Sequence, residues 1–377
     1  MTTFILQTAQ RIIGASNREQ PADLLLKREL GAHSGVSPKQ AREISHAVFA
    51  YYRWLGWLNS KQPLSTQIQK AAELANAFAK NPQEFSDPDL AARAVPSWLK
   101  DQMEVTGPFA RALQTEPSLW LRARPGYGRA LASKLGDCRI CGTGEQADTL
   151  QYIGTKDLFR TPEFHAGEFE LQDLSSQAVG WLCAPTPGQT WWDACAGEGG
   201  KTLHLSALMQ NKGLIWASDR AAWRLQKLKR RAARAGVFNY RSAVWNGRTR
   251  LPTKTKFDGI LIDAPCSGVG TWHRNPHARW TTHPKDVSEL SALQQQLLKS
   301  TASALKPAGK LFYAVCTLTR AETEEVVAGF ERTVPEFKAL PLTNPLNPAL
   351  PKQLQTWLWP QDSRGNGMFV AAWALPK

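Results

Sequence analysis

From about residue 171 onward, short apolar runs alternate with helical stretches, and few folds accept that order. The runs fall at residues 190–194, 214–218, 241–245, 257–262 and 310–314, the third being the weakest. The segments between them are helical in pattern. Parallel strands need a crossover of a dozen or more residues, usually a helix, so this order predicts a parallel sheet covered on both faces. Such sheets bind ligands outside the carboxyl ends of their strands. The search for chemistry therefore narrows to the loops that follow the strands. The end of the chain differs: residues 354–359 and 368–373 flank a turn-rich stretch and read as a terminal antiparallel hairpin.

The earlier chain has another character. Residues 1–118 read as helical, with apolar residues at helical spacing through Leu24, Leu25 and Leu26 and again from Ile44 through Val48, Tyr51, Leu55 and Leu58. Pro63, Pro82, Pro88 and Pro96 separate the segments. Residues 119–170 read as a small α/β module: a strand at 119–123, a helix at 128–135, then short pieces broken by glycines. Three domains are expected, with boundaries after 118 and 170.

The first strand of the alternating region runs into Asp193-Ala194-Cys195-Ala196-Gly197-Glu198-Gly199-Gly200-Lys201-Thr202. Small residues and three glycines let backbone N–H groups approach a ligand, and the next helix begins in this turn. Asp219 closes the second strand, where an acid can accept the hydroxyls of a ribose. An adenosine-containing ligand is implied. Gly200-Lys201-Thr202 imitates the end of a P-loop, but that motif needs glycine at 195, which is Cys. The dinucleotide string G-x-G-x-x-G also fails, because position 202 is Thr.

Two cysteines occupy equivalent places. The fourth strand leads into Asp263-Ala264-Pro265-Cys266, and the fifth into Val315-Cys316-Thr317. If these strands are neighbours, two thiols and one carboxylate meet beside the ligand pocket. A free Cys is usually a small buried hydrophobe; a pair at strand ends points to chemistry. Carbon-5 of cytosine is a poor nucleophile. A thiolate added at carbon-6 makes the ring enamine-like, so carbon-5 can attack an electrophilic methyl group. Asp263 is the candidate to stabilise the ring at N3. No general base is visible. The remaining cysteines form no framework. Cys138 and Cys141 make a lone C-x-x-C without the second pair a zinc site needs. His273, His277 and His283 lack carboxylates at useful spacing, so no metal is expected.

Charge points to the partner. There are 46 Lys and Arg against 32 acids, a formal net charge of +14. Residues 220–256 hold twelve of these cations and no acid: Arg220, Arg224, Lys227, Lys229, Arg230, Arg231, Arg234, Arg241, Arg248, Arg250, Lys254 and Lys256. A phosphate-contacting surface is expected, with a solvated helix face as the alternative. Trp272-His273-Arg274 and Arg279-Trp280 could stack an unpaired base or could simply pack. No 18-residue apolar run and no secretory signal are present, which reads as a cytoplasmic protein without a membrane span.

These motifs resemble, in order and spacing, those of the RsmB/Sun-type RNA cytosine-5 methyltransferases. The resemblance rests on the glycine turn at 193–202, Asp-Ala-Pro-Cys-Ser-Gly at 263–268, and Val-Cys-Thr-Leu-Thr-Arg-Ala-Glu-Thr-Glu at 315–324. Residues 169–177 and the closing Gly367-Met368-Phe369 add to it. It implies a Rossmann-like class I methyltransferase domain at 171–377, preceded by a helical NusB-like RNA-binding domain. It implies S-adenosylmethionine as cofactor, held by Cys195, Ala196, Gly197, Glu198, Gly199, Gly200, Lys201, Asp219, Arg224, Asn246 and Asp263. Cys316 matches the nucleophile, Cys266 the cysteine that assists release, and Asp263 the acid near the target base. The chain departs from the family at Glu198, where Pro is usual, at Val315, where Thr is usual, and at Asn246, where an acid is usual. The implied substrate is RNA, with small-subunit ribosomal RNA first and transfer RNA as the alternative. A monomer is expected. An inactive RNA-binding or assembly protein of the same fold is the rival reading.

Overall fold

The computed structural model describes residues 1–32, 35–142 and 144–377. The chain divides into two compact units: Met1–Pro117 with Gly268–Asp286, and Ser118–Ser267 with Val287–Lys377. This differs from three successive domains in two places. The module at 119–170 shares its unit with the large sheet. A segment from the middle of the expected catalytic region belongs with the helical N-terminal region.

The first unit is helical. Its longer helices are Thr3–Ala15, Ala22–Ala32, Pro38–Arg53 and Leu64–Lys80. Ser37 and Gln40 form a reciprocal capping box, and Pro38 sits in the first turn, where its missing N–H costs nothing. Ile5, Ile12, Ile44, Val48 and Ile68 form the core on one stripe of each helix. Helix Pro276–Thr281 joins this unit through Arg279. That side chain is 0% exposed. It donates to the carbonyls of Ala94 (2.8 Å), Leu113 (2.9 Å) and Arg53 (3.3 Å) and to Gln114 Oε1 (3.0 Å). Trp272 is buried edge-on to Trp98, and Trp280 Nε1 donates to the Tyr52 carbonyl at 2.6 Å. Trp272, Arg279 and Trp280 are therefore packing elements, which removes Trp272 and Arg279 as stacking platforms for a base, whereas Arg274 is exposed.

The second unit holds two sheets. The smaller is antiparallel, with strands β1 (Leu119–Ala123), β2 (Cys138–Ile140), β3 (Thr149–Tyr152) and β4 (Phe169–Leu171) in the order β2-β3-β1-β4. The larger is built from β5 (Thr190–Asp193), β6 (Leu214–Asp219), β7 (Tyr240–Val244), β8 (Phe257–Asp263), β9 (Leu305–Val315), β10 (Lys338–Ala339), β11 (Gln355–Leu358) and β12 (Met368–Ala374). Its order is β10-β12-β9-β8-β5-β6-β7, with β11 also paired to β12. Strands β5 to β9 pair in parallel. Strand β12 returns antiparallel to β9 and makes the expected hairpin with β11. Phe369, Ala371 and Trp373 enter the core on one face and Met368, Val370 and Ala372 the core on the other. That period of two shows a sheet buried on both sides.

The chain order reverses around β5. It steps outward to β6 and β7, then returns to place β8 on the other side of β5. Loops after β5 and β8 therefore leave in different directions and open a crevice between them, which is where such sheets bind ligands.

Candidate active site at the carboxyl ends of the central strands

The loop after β5 is held from beneath. Ala194 N donates to the Leu261 carbonyl (2.9 Å) and Ala196 N to the Ser218 carbonyl (2.8 Å), tying the loop to both neighbouring strands. Trp192 Nε1 donates to Ser218 Oγ, which donates to the Ala194 carbonyl. Gly199 has φ +90°, and a Cβ there would stand 2.6 Å from Leu228 Cγ. Glycine is required on both counts. Gly199 caps helix Gly200–Leu208, so that helix starts facing the crevice.

Asp219, at the end of β6, is 6% exposed. Its Oδ2 accepts from Gly197 N (3.0 Å) and its Oδ1 from Ala221 N (2.8 Å). A carboxylate has about four acceptor sites, so it can fix the glycine loop and still receive a ligand hydroxyl. Arg224 approaches it at 3.9 Å. Asn246 turns its Oδ1 back to Arg248 N (3.2 Å) within its own loop.

These groups line a cavity of about 510 Å³, together with Cys195, Ala196, Glu198, Gly200, Asp263 and Cys266. The size suits a nucleoside-bearing ligand. Gly197 and Gly200 leave open space where a side chain would stand, so backbone can approach closely. The residues present thus fit S-adenosylmethionine. Of the expected holders, Glu198 is the most divided: its carboxylate pairs with Lys227 at 2.7 Å, and its carbonyl accepts from Arg231 at 3.0 Å.

The second half of the site comes from β8 and β9, which are neighbours. Cys266 Sγ and Cys316 Sγ are 3.3 Å apart. The next residues are also joined, Ser267 Oγ to Thr317 Oγ1 at 2.8 Å. Asp263 Oδ2 accepts from Lys201 Nζ at 2.7 Å. Lys201 is 8% exposed. Burial works against its ammonium, but the Asp263 carboxylate outweighs this and lifts it above an ordinary lysine. The glycine-turn motif placed Lys201 with the cofactor; the structure also brings it to Asp263, a link no spacing revealed. Cys195 is a third thiol lining the cavity. Burial, then Asp193, Asp263 and Asp219, push its thiol well above the ordinary range, so it stays protonated.

The basic segment is less free than its composition implied. Glu170 (β4) takes Arg231 at 2.8 Å and also Arg234, and Glu198 takes Lys227. The missing acids come from elsewhere in the chain. Lys229, Arg230, Arg241, Arg248, Arg250 and Lys254 are exposed and have no ion-pair partner among the described residues. Together with Arg220, which is also exposed, they are the candidates for any phosphate-contacting role. Among the described residues, no cluster of three His, Cys, Asp or Glu could hold a metal, and no helix is long and apolar enough to cross a membrane.

Residues 180–374 match the family described as 16S rRNA methyltransferase RsmB/F. A probable ribosomal RNA small subunit methyltransferase B of Synechocystis is 35% identical over 88% of this chain and 81% of its own. The chain belongs to the RsmB/F family. Its members are S-adenosylmethionine-dependent RNA methyltransferases. A mouse relative of this RsmB/F chain, tRNA (cytosine(72)-C(5))-methyltransferase NSUN6, is 36% identical over 50% of it and 42% of the mouse protein. The crystal structure of PH0851 superposes with a TM-score of 0.78 over 99% of the RsmB/F chain and 97% of its own, at 21% identity. That likeness extends the shared fold through the helical region.

Proposed function

We propose that this chain methylates carbon-5 of a cytosine in RNA through a covalent Cys316 adduct at carbon-6. The observation that carries this reading is the thiol pair, 3.3 Å apart at the ends of adjacent strands. A lone nucleophile needs no second sulfur in contact with it. Beside the pair stands the Lys201–Asp263 ion pair.

The roles follow from chemistry. Cys316 Sγ bonds to carbon-6 and breaks the ring's 5,6 double bond. The displaced electron density is stabilised by a hydrogen bond or proton at N3 from the Lys201–Asp263 pair. Bound S-adenosylmethionine supplies an electrophilic methyl carbon, and residues 195–201, Asp219, Arg224, Asn246 and Asp263 would hold it. Release then requires loss of the carbon-5 proton and cleavage of the carbon-6–sulfur bond. Cys266, in contact with the departing sulfur, assists that step. The helical first unit, NusB-like by resemblance, serves as the RNA-binding domain of a cytoplasmic monomer. The Synechocystis relative, matched over most of this chain, favours small-subunit ribosomal RNA; the name of the mouse relative keeps transfer RNA as the second reading. The intact cysteine pair speaks against an inactive assembly protein.

The two cysteines should fail differently. Cys316→Ala should give no methylation and no adduct. Cys266→Ala should accumulate a covalent protein–RNA complex that survives denaturing electrophoresis, and the double variant should lose it. Bisulfite sequencing of RNA from deletion and complemented strains identifies the cytosine. Full methylation by Cys316→Ala, or a trapped complex with that variant, would sink the assignment.

A further inference from the structure

Glu322 lies in the turn Arg320–Glu322, within the polar stretch 319–325. It is 0% exposed. A carboxylate taken fully out of water is costly unless hydrogen bonds replace the solvent. Five donor atoms do so here. Oε1 accepts from Ser267 N (2.9 Å) and Gln294 Nε2 (3.0 Å). Oε2 accepts from Thr319 Oγ1 (2.9 Å), from Thr317 Oγ1 (3.3 Å) and from Ser267 Oγ. No lysine or arginine pairs with it among the described residues.

The identity of these donors sets the inference. Ser267 follows Cys266, and Thr317 follows Cys316. The two loops leave different strands and are 50 residues apart in the chain. Strand pairing between β8 and β9 ends at Asp263 with Ala314, so it stops short of both cysteines. Beyond that point, one carboxylate bridges the two loops. Gln294 extends the bridge: its Nε2 also donates to the Pro265 carbonyl (2.8 Å), and its Oε1 accepts from Tyr313 Oη (2.9 Å). Tyr313 Oη in turn donates to the Glu322 carbonyl at 2.6 Å.

We propose that Glu322 is the positioning residue of the thiol pair, bridging Ser267 to Thr317 so that the two sulfurs face one another. Glu322 does not touch the reacting atoms. It acts through the backbone that carries them, and the inference rests on the roles proposed above for Cys266 and Cys316. Displacement of a reacting group by about 1 Å can cost about 100-fold in rate.

Sulfur proximity can be read without RNA. Phenylarsine oxide condenses with two adjacent thiols, forming two arsenic–sulfur bonds and releasing one water. Cys138 and Cys141 could form a second such pair, so the measurement is made in a Cys138→Ser, Cys141→Ser background. One arsenical should add per chain, followed by mass spectrometry, and Cys266→Ala should abolish it. Glu322→Ala should slow capture about tenfold and lower kcat about 100-fold with KM for RNA unchanged. Glu322→Gln keeps the acceptor for Ser267 N and Gln294 and can donate to the hydroxyls, so it should stay within about threefold of the parent on both readouts. A folded Glu322→Ala protein with unchanged capture overturns the proposal. If that variant does not fold, the Ser267→Ala, Thr317→Val double variant is read the same way, and unchanged capture there also overturns it. Slowed capture in a protein whose parent methylates no RNA cytosine supports the positioning role and sinks the proposed reaction.

Discussion

Arg279 and Lys201, buried cations of different compact units, are satisfied in opposite ways. Arg279, in the helical unit, spreads its donors over carbonyl oxygens from three separate stretches of chain. It pairs with no carboxylate among the described residues, and burial, then Arg53, pull its guanidinium down to about 9. Lys201, in the α/β unit, pairs directly with the Asp263 carboxylate at the edge of a cavity, with Asp193 acting from farther off, and is raised instead. A planar guanidinium bonded to several neutral acceptors locks segments together. A compact ammonium on one acid is a charge that can be shared with a third group. The first arrangement is architecture, and the second is available for chemistry.

The largest expected effects come from removing each cation in turn. Arg279→Met leaves buried carbonyls without donors and should lower unfolding free energy by about 3–5 kcal/mol, measured by urea denaturation. Its effect on S-adenosylmethionine affinity should be small. Lys201→Met should do the reverse. Methyl transfer should fall by about 10²–10³, while the denaturation midpoint moves little. If both variants lose stability and keep activity, the contrast between the two sites is broken.

Asp193 sharpens the comparison as a buried acid with no ion-pair partner within salt-bridge distance among the described residues. It is 0% exposed, accepts from Thr202 Oγ1 at 2.6 Å, and burial raises it from 3.8 to about 7. It therefore holds its proton in the folded state when the unfolded chain has released it. That contribution to stability is complete below about pH 4 and is lost as pH rises through about 7, at up to about 1.4 kcal/mol per pH unit. Asp193→Asn should flatten this slope in denaturation curves taken from pH 4 to 8. An unchanged slope would mean that Asp193 ionises freely.

Asp219 is the intermediate case, an acid satisfied by two backbone N–H groups with capacity to spare. Asp219→Ala should weaken S-adenosylmethionine binding by about 1–3 kcal/mol, measured by calorimetry. Unchanged affinity in a folded variant would move the cofactor elsewhere.

The smallest effect should come from cations that are not buried. Neutralising Lys229 and Arg230 should reduce the salt dependence of RNA binding by about one to two phosphate contacts. Neutralising Arg231 and Arg234 should instead cost stability, because Glu170 is left buried without partners. Equal salt slopes for parent and the Lys229, Arg230 variant would make that face a solvated one.

Much of the α/β unit was legible from the chain alone. Strands at 190–193, 214–219 and 257–263 and the closing hairpin lie within a residue or two of their expected places. Strand β9 runs from Leu305 to Val315, starting five residues before the expected run at 310–314. The glycine turn and the two cysteine loops were visible because each is a local pattern at a strand end. The misjudged features share one property. Whether twelve cations are free depended on Glu170 and Glu198, and whether Trp272 and Arg279 are exposed depended on residues far earlier in the chain.

The sequence by itself determined the order of elements, the glycine-rich turn after the first strand of the α/β region, and the presence of two thiols after two strands. Those follow from side-chain periodicity and from backbone conformations that only certain residues allow, both of which act over a few residues. The tertiary structure decided which compact unit receives residues 268–286, which cations are neutralised, and how the two sulfurs come to 3.3 Å. Each of those depends on a partner far away in the chain: 61 residues for Arg231 and Glu170, 55 for Ser267 and Glu322, and 185 for Arg279 and Ala94. Burial and hydrogen-bond satisfaction are properties of what surrounds a group in space, and sequence spacing carries no record of that.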